Sequence, residues 1–67
     1  MNRKLYERAV KRYAADCRKI GMNFITPTFE DSYADDKQVK LNDGNFVLAE
    51  YRVEARGKLR PVRISGA

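Results

Sequence analysis

Between Asn2 and Gly21 the apolar residues recur at the spacing of a helix, and this run fixes most of what the chain can become. Leu5, Tyr6, Ala9, Val10, Tyr13, Cys17 and Ile20 fall within a stripe about 140° wide when successive residues are turned by about 100°. The spacing predicts an amphipathic helix over 3–20. Asn2 is the natural N-cap, Gly21 ends the helix in the left-handed conformation, and Met22 folds back near Cys17. A helix with one apolar stripe needs an opposing surface, and the rest of the chain must supply it.

From Lys37 onward the pattern is β. Three segments, roughly 37–41, 45–54 and 59–64, are separated by Asn42-Asp43-Gly44 and Arg56-Gly57, each with a glycine suited to a hairpin's positive φ. A type I turn through Asn42-Asp43 with Gly44 as a bulge pairs Leu41 with Asn45. Val39, Leu41, Val47, Ala49, Tyr51 and Val53 then share one face. A two-residue turn at Arg56-Gly57 adds Val62 opposite Tyr51 and Ile64 opposite Ala49. The other face receives Gln38, Lys40, Phe46, Leu48, Glu50, Arg52, Glu54, Leu59 and Arg63, with Glu50 opposite Arg63. Pro61 predicts that the last strand lies at a sheet edge, because proline cannot donate to a ladder.

The connecting segment is less regular. Asn23-Phe24-Ile25-Thr26 is a candidate fourth strand ended by Pro27. Phe29–Asp36 reads as an acidic surface loop pinned by Phe29 and Tyr33, with room for one helical turn. The expected fold is α+β: one N-terminal amphipathic helix packed on a three-stranded antiparallel β-meander, four-stranded if 23–26 pairs. It forms a single small domain over 1–67, with the helix at 3–20, the acidic connection at 21–36 and the meander at 37–64.

Such a domain is near the lower size limit for a single core. Ordering its 67 residues costs on the order of 100 kcal/mol, so nearly every apolar side chain must be buried. The single cysteine, Cys17, allows no internal disulfide and falls on the apolar stripe, which predicts a buried, inert thiol. No signal peptide, no apolar run of the ~20 residues that span a bilayer and no N-x-[ST] sequon is present, so a cytoplasmic protein without a membrane partner is expected.

The composition excludes most chemistry. There is no histidine, which removes the commonest general base at neutral pH, together with His-dependent triads. Glu30, Asp31, Asp35 and Asp36 lack the alternating ligands and internal glycine of an EF-hand loop, and a zinc site lacks ligands. Neither a P-loop nor a dinucleotide-binding glycine motif occurs. The sequence therefore predicts no enzyme, no metal, no cofactor and no small-molecule substrate.

Charge remains. The net +5 is uneven: residues 1–20 carry +5, residues 21–36 carry −4 and residues 37–67 carry +4. Basic residues on a rigid helix and at a hairpin tip suit phosphate contacts. The leading expectation is a small, basic, non-enzymatic binding module, a nucleic-acid-associated accessory protein using Lys4, Arg8, Lys11, Arg18 and Lys19 of the helix with Arg56, Lys58 and Arg60 of the tip. A charged outer face also keeps any small helix soluble, and basic and acidic segments can pair with each other. The alternative is a protein-interaction or inhibitor module, binding a partner or a second copy through Phe46 and Leu48 on the outer sheet face. Tyr33 is the one tyrosine the pattern leaves free of the core.

Overall fold

An N-terminal helix, α1 (Arg3–Ile20), lies across a four-stranded antiparallel sheet in a computed structural model that describes residues 1–65. The strands are β1 (Tyr33–Ala34), β2 (Gln38–Asp43), β3 (Phe46–Val53) and β4 (Leu59–Ile64), side by side in chain order. The fold is α+β, and β4 with its Pro61 is an edge strand.

Both helix caps form as the sequence indicates. The Asn2 side chain accepts the Leu5 N–H at 3.0 Å. Gly21 takes φ 75°, and both its N–H and that of Met22 reach the Cys17 carbonyl. Leu5, Tyr6, Ala9, Tyr13 and Cys17 are buried against Ala34, Val39, Leu41, Leu48, Ala49, Tyr51 and Leu59. Ile20, the last residue of the stripe, is instead 56% exposed.

The fourth strand is not the expected one. Residues 23–26 join no ladder; they run beside the helix, where Ile25 packs on the core and Phe24 lies 5.3 Å from the Tyr13 ring. Tyr6 donates to the Pro27 carbonyl and meets Phe29 edge-on at 5.0 Å. A 3-10 turn at Phe29–Asp31 follows, and Tyr33–Ala34 then pairs with β2. Asp35 makes this pairing possible, because its Oδ1 accepts the N–H groups of Lys37 and Gln38, both at 2.8 Å, and so closes the turn into β2. Phe29 pins the segment, whereas Tyr33 is 47% exposed.

Both hairpins depart from the expected register, each through a bulge. The first turn is Gly44-Asn45 with Asp43 opposite Phe46, and Gly44 at φ 62°. Continued without interruption, this ladder would set Leu41 opposite Leu48 and Val39 opposite Glu50. An extra residue at Leu48 instead brings Leu41 opposite Ala49 and Val39 opposite Tyr51. Leu48 and Ala49 both turn inward, and each is fully buried. Upstream of the bulge the facing is inverted relative to the expectation: Val47 pairs with the outward Asn42, and Phe46 shares the side of Leu48.

The second hairpin has a three-residue loop, Ala55–Gly57, closed by the Glu54 N–H to the Lys58 carbonyl at 2.8 Å. Leu59 then faces Val53 and is buried, not outward. A bulge at Val62 restores the expected pairs Glu50–Arg63 and Ala49–Ile64 but sets Pro61, rather than Val62, opposite Tyr51, leaving Val62 55% exposed.

Candidate nucleic-acid interface

The basic residues of α1 divide into anchored and unanchored groups. Arg3 lies over the Phe29 ring at 4.1 Å. Arg12 directs its Nε to both oxygens of Asp16 at 3.2 Å and its Nη1 to the Leu59 carbonyl at 3.0 Å. Asp16 also accepts the Tyr51 hydroxyl at 2.8 Å, tying helix to sheet. Burial first, and then this hydrogen bond to a carboxylate, hold the Tyr51 hydroxyl well above its ordinary pKa. Lys4, Lys11, Arg18 and Lys19 are exposed and make no side-chain hydrogen bond or ion pair among the described residues. The acidic segment does not neutralise them: the ion pairs among the described residues are Arg12–Asp16, Arg60–Glu54 and Arg63–Glu50. Two of its carboxylates cap backbone instead, Asp35 at the β1–β2 turn and Asp31 on the Gly44 N–H at 3.1 Å.

Arg8 connects the helix to the hairpin tip, its Nη2 donating to the Gly57 carbonyl at 2.7 Å. Gly57 has φ 72°, and a Cβ there would stand 3.1 Å from Arg8 Nη1, so glycine serves both the turn and the approach. Beside it Arg56 holds φ 66°, ψ 21°, the left-handed region that non-glycine residues avoid. Arg56 and Lys58 are exposed and carry no side-chain partner among the described residues.

Lys4, Arg8, Lys11, Arg56 and Lys58 therefore form one basic surface around the Arg8–Gly57 contact. Arg18 and Lys19 extend it toward the helix C-terminus, Arg18 lying about 15 Å from Arg8 at 1.5 Å per residue. Arg60 does not belong to this surface. It pairs with Arg52 in the ladder, on the sheet face turned away from the helix, and bonds to Glu54 at 3.3 Å.

Leu48 is removed from the candidate protein interface by its full burial, the result of the β3 bulge; Phe46 remains 47% exposed, on the helix side of the sheet. Sequence reasoning placed Lys40, Arg52 and Arg63 on the outer sheet face but gave them no site; the observed register, with its bulges, brings Lys40 and Arg52 into adjacent rows. Cys17 is buried, and the hydroxyl of Tyr13 is buried without a hydrogen-bond partner. No cluster of three or more potential metal ligands occurs among the described residues, and none of their helices is long and apolar enough to cross a membrane. No protein-family model matches the chain, and neither a curated protein nor a solved structure matches it.

Proposed function

We propose that this protein is a small non-enzymatic module that binds the phosphate backbone of nucleic acid through the crest of α1 and the β3–β4 hairpin tip. The observation that carries the reading is the Arg8–Gly57 hydrogen bond of 2.7 Å, which fuses two separately encoded basic segments into one surface. Lys4, Arg8, Lys11, Arg56 and Lys58 form its centre, and Arg18 and Lys19 extend it along the helix. Apart from Arg8, these cations have no side-chain partner among the described residues, which adds support, since fold-stabilising cations find partners, as Arg12 does. The strained Arg56 backbone agrees with a residue held for a contact rather than for stability. A cytoplasmic setting follows from the same reading, because nucleic acid and a reduced Cys17 coexist there.

Binding to labelled duplex and single strands across a salt series tests this. About five phosphate contacts give a log–log salt slope of about −4.5 on duplex and about −3.5 on single strands. Lys11→Glu with Arg18→Glu should weaken binding to every sequence and flatten the slope while the domain stays folded. Absence of binding below about 100 μM at roughly 50 mM salt would overturn the reading, since non-specific binders reach about 10⁻⁴–10⁻⁶ M even at physiological salt. The protein-interaction alternative would then be taken up, resting on Phe46 without Leu48.

A further inference from the structure

The sheet face turned away from α1 is covered by no element of the described residues, and its charge is as uneven as that of the helix. Residues paired across strands share a face, so the register sets Tyr33, Lys40, Glu50 and Arg63 in one row across all four strands. Gln38, Arg52 and Arg60 form the next row. The carboxylates carried by β3 and its end are already engaged, Glu50 by Arg63 at 4.0 Å and Glu54 by Arg60 at 3.3 Å. Lys37, Lys40 and Arg52 have no ion-pair partner among the described residues. Arg52 stands directly opposite Arg60, and like charges so placed oppose folding. A groove of about 460 Å³ runs beside Arg52, lined also by Lys37, Gln38, Glu50 and Val62.

Tyr33 supplies what phosphate binding alone does not need. Its ring is 47% exposed, and its hydroxyl is tied to Asp35 Oδ2 at 2.5 Å, so the ring is held in place without being covered. An anchored aromatic beside spaced cations on an open sheet suits an unpaired strand, whose bases can splay out and stack while its phosphates meet the cations. A duplex keeps its base faces stacked on one another and gains nothing from the ring. Asp35 and Asp36, next to Tyr33, repel phosphate locally, which leaves a base as the fitting partner there and directs the backbone toward Lys40 and Arg52.

We propose that this face binds single-stranded nucleic acid, with a base on Tyr33 and phosphates on Lys40 and Arg52. The proposal rests on the phosphate-binding reading of the helix and tip, and adds a preference between strand types. The test uses labelled oligouridine and oligothymidine of about twelve nucleotides, within the roughly 4–16 that small modules cover, and a duplex of equal length. Tyr33→Ala should weaken single-strand binding by about five-fold or more, the effect of losing one stacked base, and leave the duplex unchanged. Tyr33→Phe should retain wild-type affinity, because it loses the hydroxyl bond and keeps the ring. Arg52→Gln should lower single-strand affinity and reduce the salt slope by about one contact.

Lys11→Glu with Arg18→Glu should weaken single strands and duplex together. If this pair weakens binding while Tyr33→Ala and Arg52→Gln leave single strands unaffected, the sheet proposal is wrong and the helix reading stands. Equal loss on duplex and single strands from Tyr33→Ala would also overturn it. Failure of the wild-type protein to bind either form removes both readings.

Discussion

Arg12 and Lys11 are neighbours in sequence and carry the same charge, yet they belong to two different regions of the molecule. On the hairpin side of α1, Arg8 and Arg12 reach backbone carbonyls of the β3–β4 hairpin, and Arg12 also holds a carboxylate that in turn accepts a buried tyrosine hydroxyl. On the crest, Lys4, Lys11, Arg18 and Lys19 have no such partners among the described residues. Position on the helix accounts for the division: Arg8 and Arg12 face the hairpin carbonyls, where the fixed fork of Arg12 serves Asp16 and Leu59 at once, whereas the crest cations, Arg18 included, have no acceptor in reach among the described residues. Cation counts therefore overstate what is available to a ligand. The number of cations left unpaired is the useful quantity.

The sharpest way to break this comparison is to remove the carboxylate at the centre of the anchored side. Asp16 has a side chain 14% exposed, beside an Arg12 at 39%. Asp16→Ala strands both the Arg12 fork and the Tyr51 hydroxyl, and should cost about 2–3 kcal/mol. Asp16→Asn, which keeps an acceptor, should recover part of the loss. Urea unfolding measures both, and an Asp16→Ala protein as stable as wild type would mean that the network does not hold helix to sheet.

Next in size is the hydroxyl itself. Tyr51→Phe should cost about 1 kcal/mol at neutral pH, the usual worth of one hydrogen bond. It should also change the alkaline response. An unfolded tyrosine titrates near 10.0, and burial followed by the Asp16 bond raises Tyr51 above that value in the native state. The native protein thus keeps a proton that the unfolded chain gives up. This contribution is complete below pH 10 and is lost as pH rises through the native value. Tyr6 and Tyr13 are raised too, both chiefly by burial. The fall in stability above about pH 10 should therefore be shallower in Tyr51→Phe, not absent.

These two side chains also mark where the sequence was legible. The helix was readable because seven stripe positions and two caps agree, and an error of one residue turns its face by only about 100°. Tyr13 and Cys17 are consequently where the period put them. In the sheet an extra residue reverses everything beyond it. Phe46-Val47-Leu48-Ala49 is an unbroken apolar run, so it carries no alternation from which a bulge at Leu48 can be read. Leu59 and Val62 were misplaced for a related reason, the three-residue loop and a bulge beside Pro61. The candidate site follows the same division: the helix cations were visible as a face, whereas Lys40 and Arg52, already placed on one sheet face, were brought into adjacent rows and beside Tyr33 only by the observed ladder.

The hairpin tip sharpens the comparison from the unanchored side. Arg56 occupies left-handed backbone at φ 66° where glycine would be relaxed. Arg56→Gly should raise stability by about 0.5–1 kcal/mol, the relief of that strain less the extra entropy of glycine. It should at the same time weaken nucleic-acid binding and flatten the salt slope by about one contact. A gain in stability with unchanged binding would remove Arg56 from the interface and leave its strained backbone without a functional reason.

The smallest effect separates the two regions most directly, because it has opposite signs on either side. Lys4 lies in the first turn of α1, where the helix dipole presents positive charge and no acidic residue offsets it. Lys4→Gln should therefore stabilise the fold by about 0.3 kcal/mol. Arg8→Gln, one turn later, gives up the bond to the Gly57 carbonyl and should destabilise by about 0.5 kcal/mol, the low end for an exposed hydrogen bond. In a domain of this size these correspond to shifts in Tm of about +1 to +2 °C and −2 to −4 °C, resolvable in parallel melts. Both substitutions should weaken nucleic-acid binding, since each removes one cation from the same surface. Loss of stability from Lys4→Gln would show that this lysine is anchored after all, and that the crest is not the unpaired region on which the functional reading depends.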